Sequence, residues 1–305
     1  MPYFVPYDGQ VTEQQEFRAI FGIGMRRFEM FQYQSVRKPR GGFSTALSMI
    51  DIIYHSTVRS VRNKHSNAFV ALAVNMLQVV IFVGVFYVMF SILGLRGSAI
   101  RGDFLIYIMS GIFLFMTHTK TVQAVASSEG PASPMMQHAP MNTIISICAS
   151  ALGALYTQLL SLFLILFGYH VAINPLDIDK PVGAFCMLLI AWFGGVALGV
   201  VLLALKPWFP TVVQVLTTLY MRANMVASGK MFVANSLPSF MLAMFDWNPL
   251  FHLIDQARGF AFINYAPRYS NWEYAAYVAL VVLMLGLMGE FYTRRHASAS
   301  WEARR

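Results

Sequence analysis

In the stretch NSLPSFMLAMFDWNPLFHLIDQARGF, residues 235–260, the types and spacing of four side chains permit chemistry: Asp246, His252, Asp255 and Arg258. A carboxylate and an imidazole within reach of each other are the parts of a general acid and base. On a helix starting near Pro249, His252 and Asp255 stand three apart and Asp255 and Arg258 another three, so they can also simply pair along one face. Pairing is the reading preferred over catalysis. Arg222 adds a charge inside the preceding apolar run, where an arginine costs at least ~2.5 kcal/mol at the membrane centre. Either it faces a cavity or an acidic partner, or the span breaks early and it reaches outer water. Lining an outward path, it would suit a phosphate or carboxylate held through two parallel hydrogen bonds.

Other chemistries have no signature. Gly229-Lys230 is followed by Met231 and lacks the earlier glycine of a phosphate loop, so no ATP hydrolysis by that route is expected. His-Glu-x-x-His, Cys-x-x-Cys and Gly-x-Ser-x-Gly do not occur, which leaves no motif for a metal site or a nucleophile. Cys148 and Cys186 fall in apolar runs and read as small hydrophobes without a disulfide.

The elements that must position these residues belong to a membrane. Of 305 residues, 57% are hydrophobic and 12% charged, with a mean hydropathy of +0.56. Soluble domains carry about 25% charged residues, and several apolar runs here approach or exceed the roughly 20 residues that span a bilayer. The net charge of +8 comes from basic residues gathered at the chain ends, which fits orientation against anionic headgroups rather than nucleic acid binding. The fold class is all-α, a polytopic membrane protein.

In chain order, residues 1–43 read as a solvated, basic cytoplasmic extension whose start lacks the pattern of a cleaved signal peptide. From Ser44 to Asn63 an amphipathic helix is expected, with Leu47, Ile50, Tyr54, Val58 and Val61 on one stripe and Asp51, His55, Arg59 and Arg62 opposite. It reads as an interfacial anchor or a docking surface for a cytoplasmic partner. Spans are expected near 67–95, 103–125, 142–170, 182–205, from Thr211, and 272–292. Asn75 and Gln78 in the first should face other helices, and the Gly195-x-x-x-Gly199 spacing in the fourth marks close helix packing. The loop Glu129 to Pro140, with three prolines, is a second candidate partner contact. Six spans place both basic termini inside, and the tail 294–305 with them.

Residues 235–260 are as apolar as a span, yet Pro238 and Asn248-Pro249 break them into pieces too short to cross. Two short re-entrant helices between the fifth and sixth spans are therefore expected. Broken backbone at membrane depth persists only where protein or a water-filled cavity satisfies it, so this segment should line a path.

The amphipathic helix, six spans, Ser228-Gly229-x-x-Phe232, Leu237-Pro238 and Asn248-Pro249-Leu250 with Arg258 downstream resemble the ABC-2 type permeases. The chain looks most like the subunits that export capsular polysaccharide or O-antigen, over about residues 44–295. The resemblance implies a half-transporter domain over 44–293 that pairs with a second copy of itself and sits on a separate ABC ATPase subunit. No cofactor would be bound by this chain; ATP-Mg would sit on the partner. The cargo would be a lipid-linked glycan moved across a bacterial inner membrane, with periplasmic and outer-membrane export proteins as further partners. Arg222, Trp247, Asn248, Pro249, Asp255 and Arg258 are then expected along the substrate path, and Arg59, Arg62, Glu129, Gln137 and His138 at the ATPase. Two alternatives stand beside it: a membrane enzyme acting on a lipid-linked sugar through Asp246, His252 or Asp255, and an ABC-2 exporter of a drug or lipid. An ion-coupled carrier is disfavoured, because few ionisable residues fall at mid-membrane and no internal repeat is evident.

Overall fold

Apolar runs separated by Pro, Gly and Asn become helices separated by tight breaks. The computed structural model describes residues 42–63, 68–92, 94, 100, 102–130 and 143–296. The extension through residue 41, Gln137, His138 and the end of the basic tail lie outside these residues. The chain divides into two compact units, Met1–Ser48 and Met49–Arg305. Among the described residues there are nine α-helices and no strand.

Helix α1, Gly42–Asn63, carries the amphipathic pattern; Ile50, Tyr54 and Val58 are exposed on it, as are Arg59 and the Asp51–His55 pair at 3.4 Å. There follow α2 (Ala68–Ile92), α3 (Phe104–Ala126), α4 (Thr143–Ala172), α5 (Pro181–Leu205), α6 (Pro210–Ala227), α7 (Ser239–Phe245), α8 (Pro249–Ala261) and α9 (Trp272–His296). Proline opens α5, α6 and α8, where its missing donor has no intrahelical partner to lose. Five helices, α2, α3, α4, α5 and α9, are long and apolar enough to cross a membrane, which marks a multi-pass membrane protein.

Where the fifth of the six spans is expected, from Thr211, α6 falls short of those five. It has 18 residues, about 27 Å at ~1.5 Å per residue, and carries Gln214, Thr217, Thr218, Arg222 and Asn224. It is also the least apolar candidate because its polar residues recur on every turn.

The bundle is built around α3, which is enclosed along most of its length and packs on α5, α4, α2 and α8. The glycine spacing in α5 makes the closest of these approaches. A Cβ on Gly195 would stand 2.7 Å from the His118 carbonyl oxygen, and one on Gly199 would stand 2.6 Å from Val125 Cβ. Gly286 gives α9 the same access to α5, 3.1 Å from Val200 Cγ1. Gly199→Leu should therefore force α3 and α5 apart and lower stability by about 1–3 kcal/mol, the usual range for overpacking. Gly84→Leu, with nothing within 4 Å of its Cβ position, should leave the melting midpoint in bilayer discs unchanged.

Polar groups inside the bundle find each other, as they must in a low-dielectric interior. Asn75 on α2 donates to Ser161 Oγ at 2.7 Å and accepts from Gln158 Nε2 at 3.0 Å, both on α4. On the exposed side of the bundle, Gln78 accepts from Lys120 Nζ of α3 at 2.5 Å. His118 Nδ1 lies 2.9 Å from the Ala191 carbonyl, so Nδ1 carries the proton and Nε2 accepts from the Tyr220 hydroxyl at 2.7 Å. These three links join α2 to α4, α2 to α3, and α3 to α5 and α6.

Candidate functional site

The expected break at Pro238 and Asn248-Pro249 is present: α7 and α8 are short helices joined by a tight turn, the hairpin of this site. Asn248 makes its tip. The side-chain oxygen accepts from the Leu250 N–H at 3.1 Å, capping α8, while Nδ2 donates to Asn224 Oδ1 and the Ala227 carbonyl, each at 2.9 Å. One asparagine thus starts a helix and pins it to the end of another. Pro249 and Leu250 line a small cavity of about 170 Å³ with His118 and Tyr220, so the tip reaches well into the bundle.

Above the tip, Gly229 ends α6 with φ of 74°, the left-handed conformation that glycine adopts without penalty. The Phe251 ring closes over it; a Cβ there would lie 2.5 Å from that ring. Phe232, Phe245 and Phe251 pack together with centroids 5.0–6.4 Å apart and hold α7, α8 and the turn as one body.

Arg258 closes this body. It is 0% exposed, and its guanidinium donates to three carbonyls of the turn: Nη1 to Gly229 at 2.9 Å and Phe232 at 2.6 Å, Nη2 to Lys230 at 2.6 Å. Its planar fork fits three convergent carbonyls as a lysine ammonium would not. The Tyr107 ring of α3 lies 4.2 Å from the guanidinium carbon, and Gly111, one turn along, leaves it room.

Lys230 points the other way from the same turn. Its ammonium sits 3.6 Å from the Phe115 centroid, 4.9 Å from Phe82 and 5.4 Å from Phe86, buried and without a hydrogen-bond partner. Three ring faces take the place of the missing acceptors. The turn is thereby fastened to α8 through Arg258 and to α2 and α3 through Lys230.

Asp255 serves the loop beyond α8. It accepts from the Ala234 N–H at 3.3 Å, the Tyr265 hydroxyl at 2.5 Å and the Ser270 hydroxyl at 2.7 Å. Burial, then the Asp255 carboxylate, pushes the Tyr265 hydroxyl well above its usual range, so it remains a donor. His252 accepts the Asn271 N–H at Nδ1, 3.1 Å, and donates from Nε2 to the Asp246 carbonyl at 2.6 Å, with Asp246 Oδ1 at 3.5 Å.

The expected pairing of His252, Asp255 and Arg258 along one helix face is corrected by these contacts. Backbone carbonyls and the loops flanking α8 offer each group shorter bonds than its helix neighbour does. Both nitrogens of the His252 ring are thus engaged within the protein. Among the described residues, no three His, Cys, Asp or Glu side chains gather to hold a metal.

The six residues expected on the substrate path separate by exposure. Asn248, Asp255 and Arg258 are buried and Pro249 is half-buried, whereas Arg222 and Trp247 are exposed, Trp247 by 66%. Enclosure keeps the first three from touching a ligand in this conformation; they shape the hairpin instead. Of the expected docking residues, Arg59 and Glu129 are exposed and Arg62 lies on α1. Lys230, Tyr107, Gly111, Asn224 and Ser270 are the site residues that sequence reasoning missed. A lysine isolated between apolar runs was the available signal for the first. Neither a family model nor a curated protein matches the chain.

Proposed function

We propose that this chain is the membrane permease subunit of an ATP-driven exporter, moving a lipid-linked polysaccharide of capsule or O-antigen type outward across a bacterial inner membrane. The observation that carries this reading is the broken segment: α7 and α8 are too short to cross, and α8 packs among α3, α5 and α9 with Asn248 at its start pinned to α6. In this reading α6 is the fifth of six passes and the hairpin is re-entrant from the outer side. Both termini then lie in the cytoplasm, as the basic ends favour. Trp247 offers a sugar ring a flat apolar face and Arg222 offers a phosphate a fork of donors. Both are exposed, Arg222 on α6 and Trp247 between α7 and α8.

A chain with no phosphate loop needs its energy from another, so an ABC ATPase would dock on α1 and on the segment after α3. A second copy would complete the path. The engaged ring nitrogens of His252 argue against the membrane-enzyme alternative. Affinity purification of the full chain from its own membranes tests the proposal. An ABC-type ATPase should co-purify, and Arg59→Glu together with Glu129→Lys should reduce its recovery about tenfold, as loss of ~1.4 kcal/mol of binding would. Recovery of the chain without any ATPase, with surface glycan unchanged on its deletion, would sink the reading.

A further inference from the structure

A second feature lies away from the hairpin tip. Between α4 and α5, which touch each other only sparsely, runs an apolar groove of about 640 Å³. Ile106, Met109 and Phe113 of α3 form its floor, and Ala257 and Ala261 of α8 close its back wall. Its mouth is framed by Phe163, Phe167 and Val182, exposed by 57%, 67% and 75%, on two of the helices that can cross a membrane. The mouth thus opens sideways, toward whatever surrounds the spans.

The polar groups in the wall are mostly spoken for. Ser110 donates to the Tyr107 carbonyl at 2.8 Å, and His170 Nδ1 accepts the Leu176 N–H at 2.8 Å. A neutral His170 ring consequently carries its proton on Nε2, at the end of the groove where α4 gives way to the 173–180 loop. The groove therefore offers hydrocarbon contact along its length and one N–H donor at its rim.

Size selects the occupant. A helix with side chains is at least ~10 Å wide, so 640 Å³ would admit only about 8 Å of it, roughly five residues. A transmembrane helix of a second copy does not fit; a single flexible hydrocarbon chain does. Lipid is also what surrounds the exposed side of a membrane span.

We propose that the groove is a binding site for one phospholipid of the surrounding bilayer, with an acyl chain between α4 and α5 and an ester or phosphate oxygen accepting from His170 Nε2. The chain end would press on Ala257, next to Arg258, so the bound lipid buttresses the helix that carries the clamp. This inference stands on the groove and does not require the exporter reading.

Native mass spectrometry of the full chain after detergent delipidation tests it. Wild type should retain one phospholipid, as should Leu164→Ala on α4 outside the groove. Ser110→Phe and Ala184→Phe, which fill the groove, should lower the bound fraction about tenfold while keeping a wild-type helical content. A phospholipid carrying a photoreactive group in its acyl chain gives a measurement on wild type alone, and its label should concentrate at Phe163, Leu166 and Phe185. Labelling spread evenly over the exposed faces of α2 and α9, no retained lipid in wild type, or retention undiminished in both filled variants would overturn the proposal. So would retention of a polyprenyl phosphate in place of a phospholipid, or conversion of the filled variants from dimer to monomer.

Discussion

Arg258→Met should destabilise the protein by about 3 kcal/mol, because of the three carbonyls that lose its guanidinium only Gly229 keeps another donor, the Phe232 N–H at 3.3 Å, and the other two are stranded at roughly 1–3 kcal/mol each. Those of Gly229, Lys230 and Phe232 all converge on the one guanidinium. Methionine fills much of the space but donates nothing. Arg258→Lys should recover less than half of the loss, since one ammonium cannot reproduce a planar fork between three acceptors. Denaturant or thermal unfolding in bilayer discs reads the difference directly. A change under 1 kcal/mol for Arg258→Met would mean that the turn re-forms with other donors and that the clamp is dispensable. The same experiment separates two roles for Arg258. Contact with cargo would lower transport at unchanged stability, whereas the clamp predicts that both fall together.

Lys230→Met should act in the opposite direction and raise stability by about 1–2 kcal/mol. The ammonium is 3% exposed and its donors are unmet, a penalty of roughly 1–3 kcal/mol for each buried donor left unsatisfied. Three aromatic faces offset that by about 0.5–2 kcal/mol apiece. The penalty is the larger of the two terms. Methionine keeps the length and the apolar contacts, carries no donors, and adds a sulfur that packs well beside Phe82, Phe86 and Phe115. Lys230→Glu places an anion against the negative faces of the same rings and should unfold the turn. A lower melting midpoint for Lys230→Met would show that the ring faces outweigh the unmet donors.

Together the two substitutions address one element. Arg258 fastens the turn to α8, and Lys230 inserts it between α2 and α3. A charge that reduces stability and is buried inside a membrane bundle is by general rule a functional candidate. Lys230 therefore ranks with Arg222 and Trp247 for any transport assay. Such an assay should show Lys230→Met losing activity while gaining stability if the turn must move during export.

Much of the architecture was legible in the residues. Apolar runs of span length give α2, α3, α4, α5 and α9 within a few residues of their observed ends, because burial in lipid depends on composition and length more than on neighbours. The breaks at Pro238 and Asn248-Pro249 were equally local, since a missing donor and a fixed φ act wherever proline stands. The glycine spacing in α5 announced a close contact, though not that α3 is its partner. Asn75 pointed to a helix neighbour, but Ser161 and Gln158 were beyond reach. The aromatic residues were the least informative: nothing in the spacing of Phe86 and Tyr107 marks them out, and they face a lysine and an arginine.

Sequence alone therefore determined the class of solvent, the helices and the place where the hairpin turns, all of which follow from hydropathy and backbone sterics over a few residues. Tertiary structure alone decided what the charges do. Asp255 and Arg258 are three residues apart on one helix, and local spacing would pair them. Packing instead brings carbonyls from 26–29 residues earlier in the chain to the arginine, and hydroxyls from 10–15 residues later to the aspartate. A buried charge takes whichever partners desolvation leaves closest. Those partners exist only once the chain has folded.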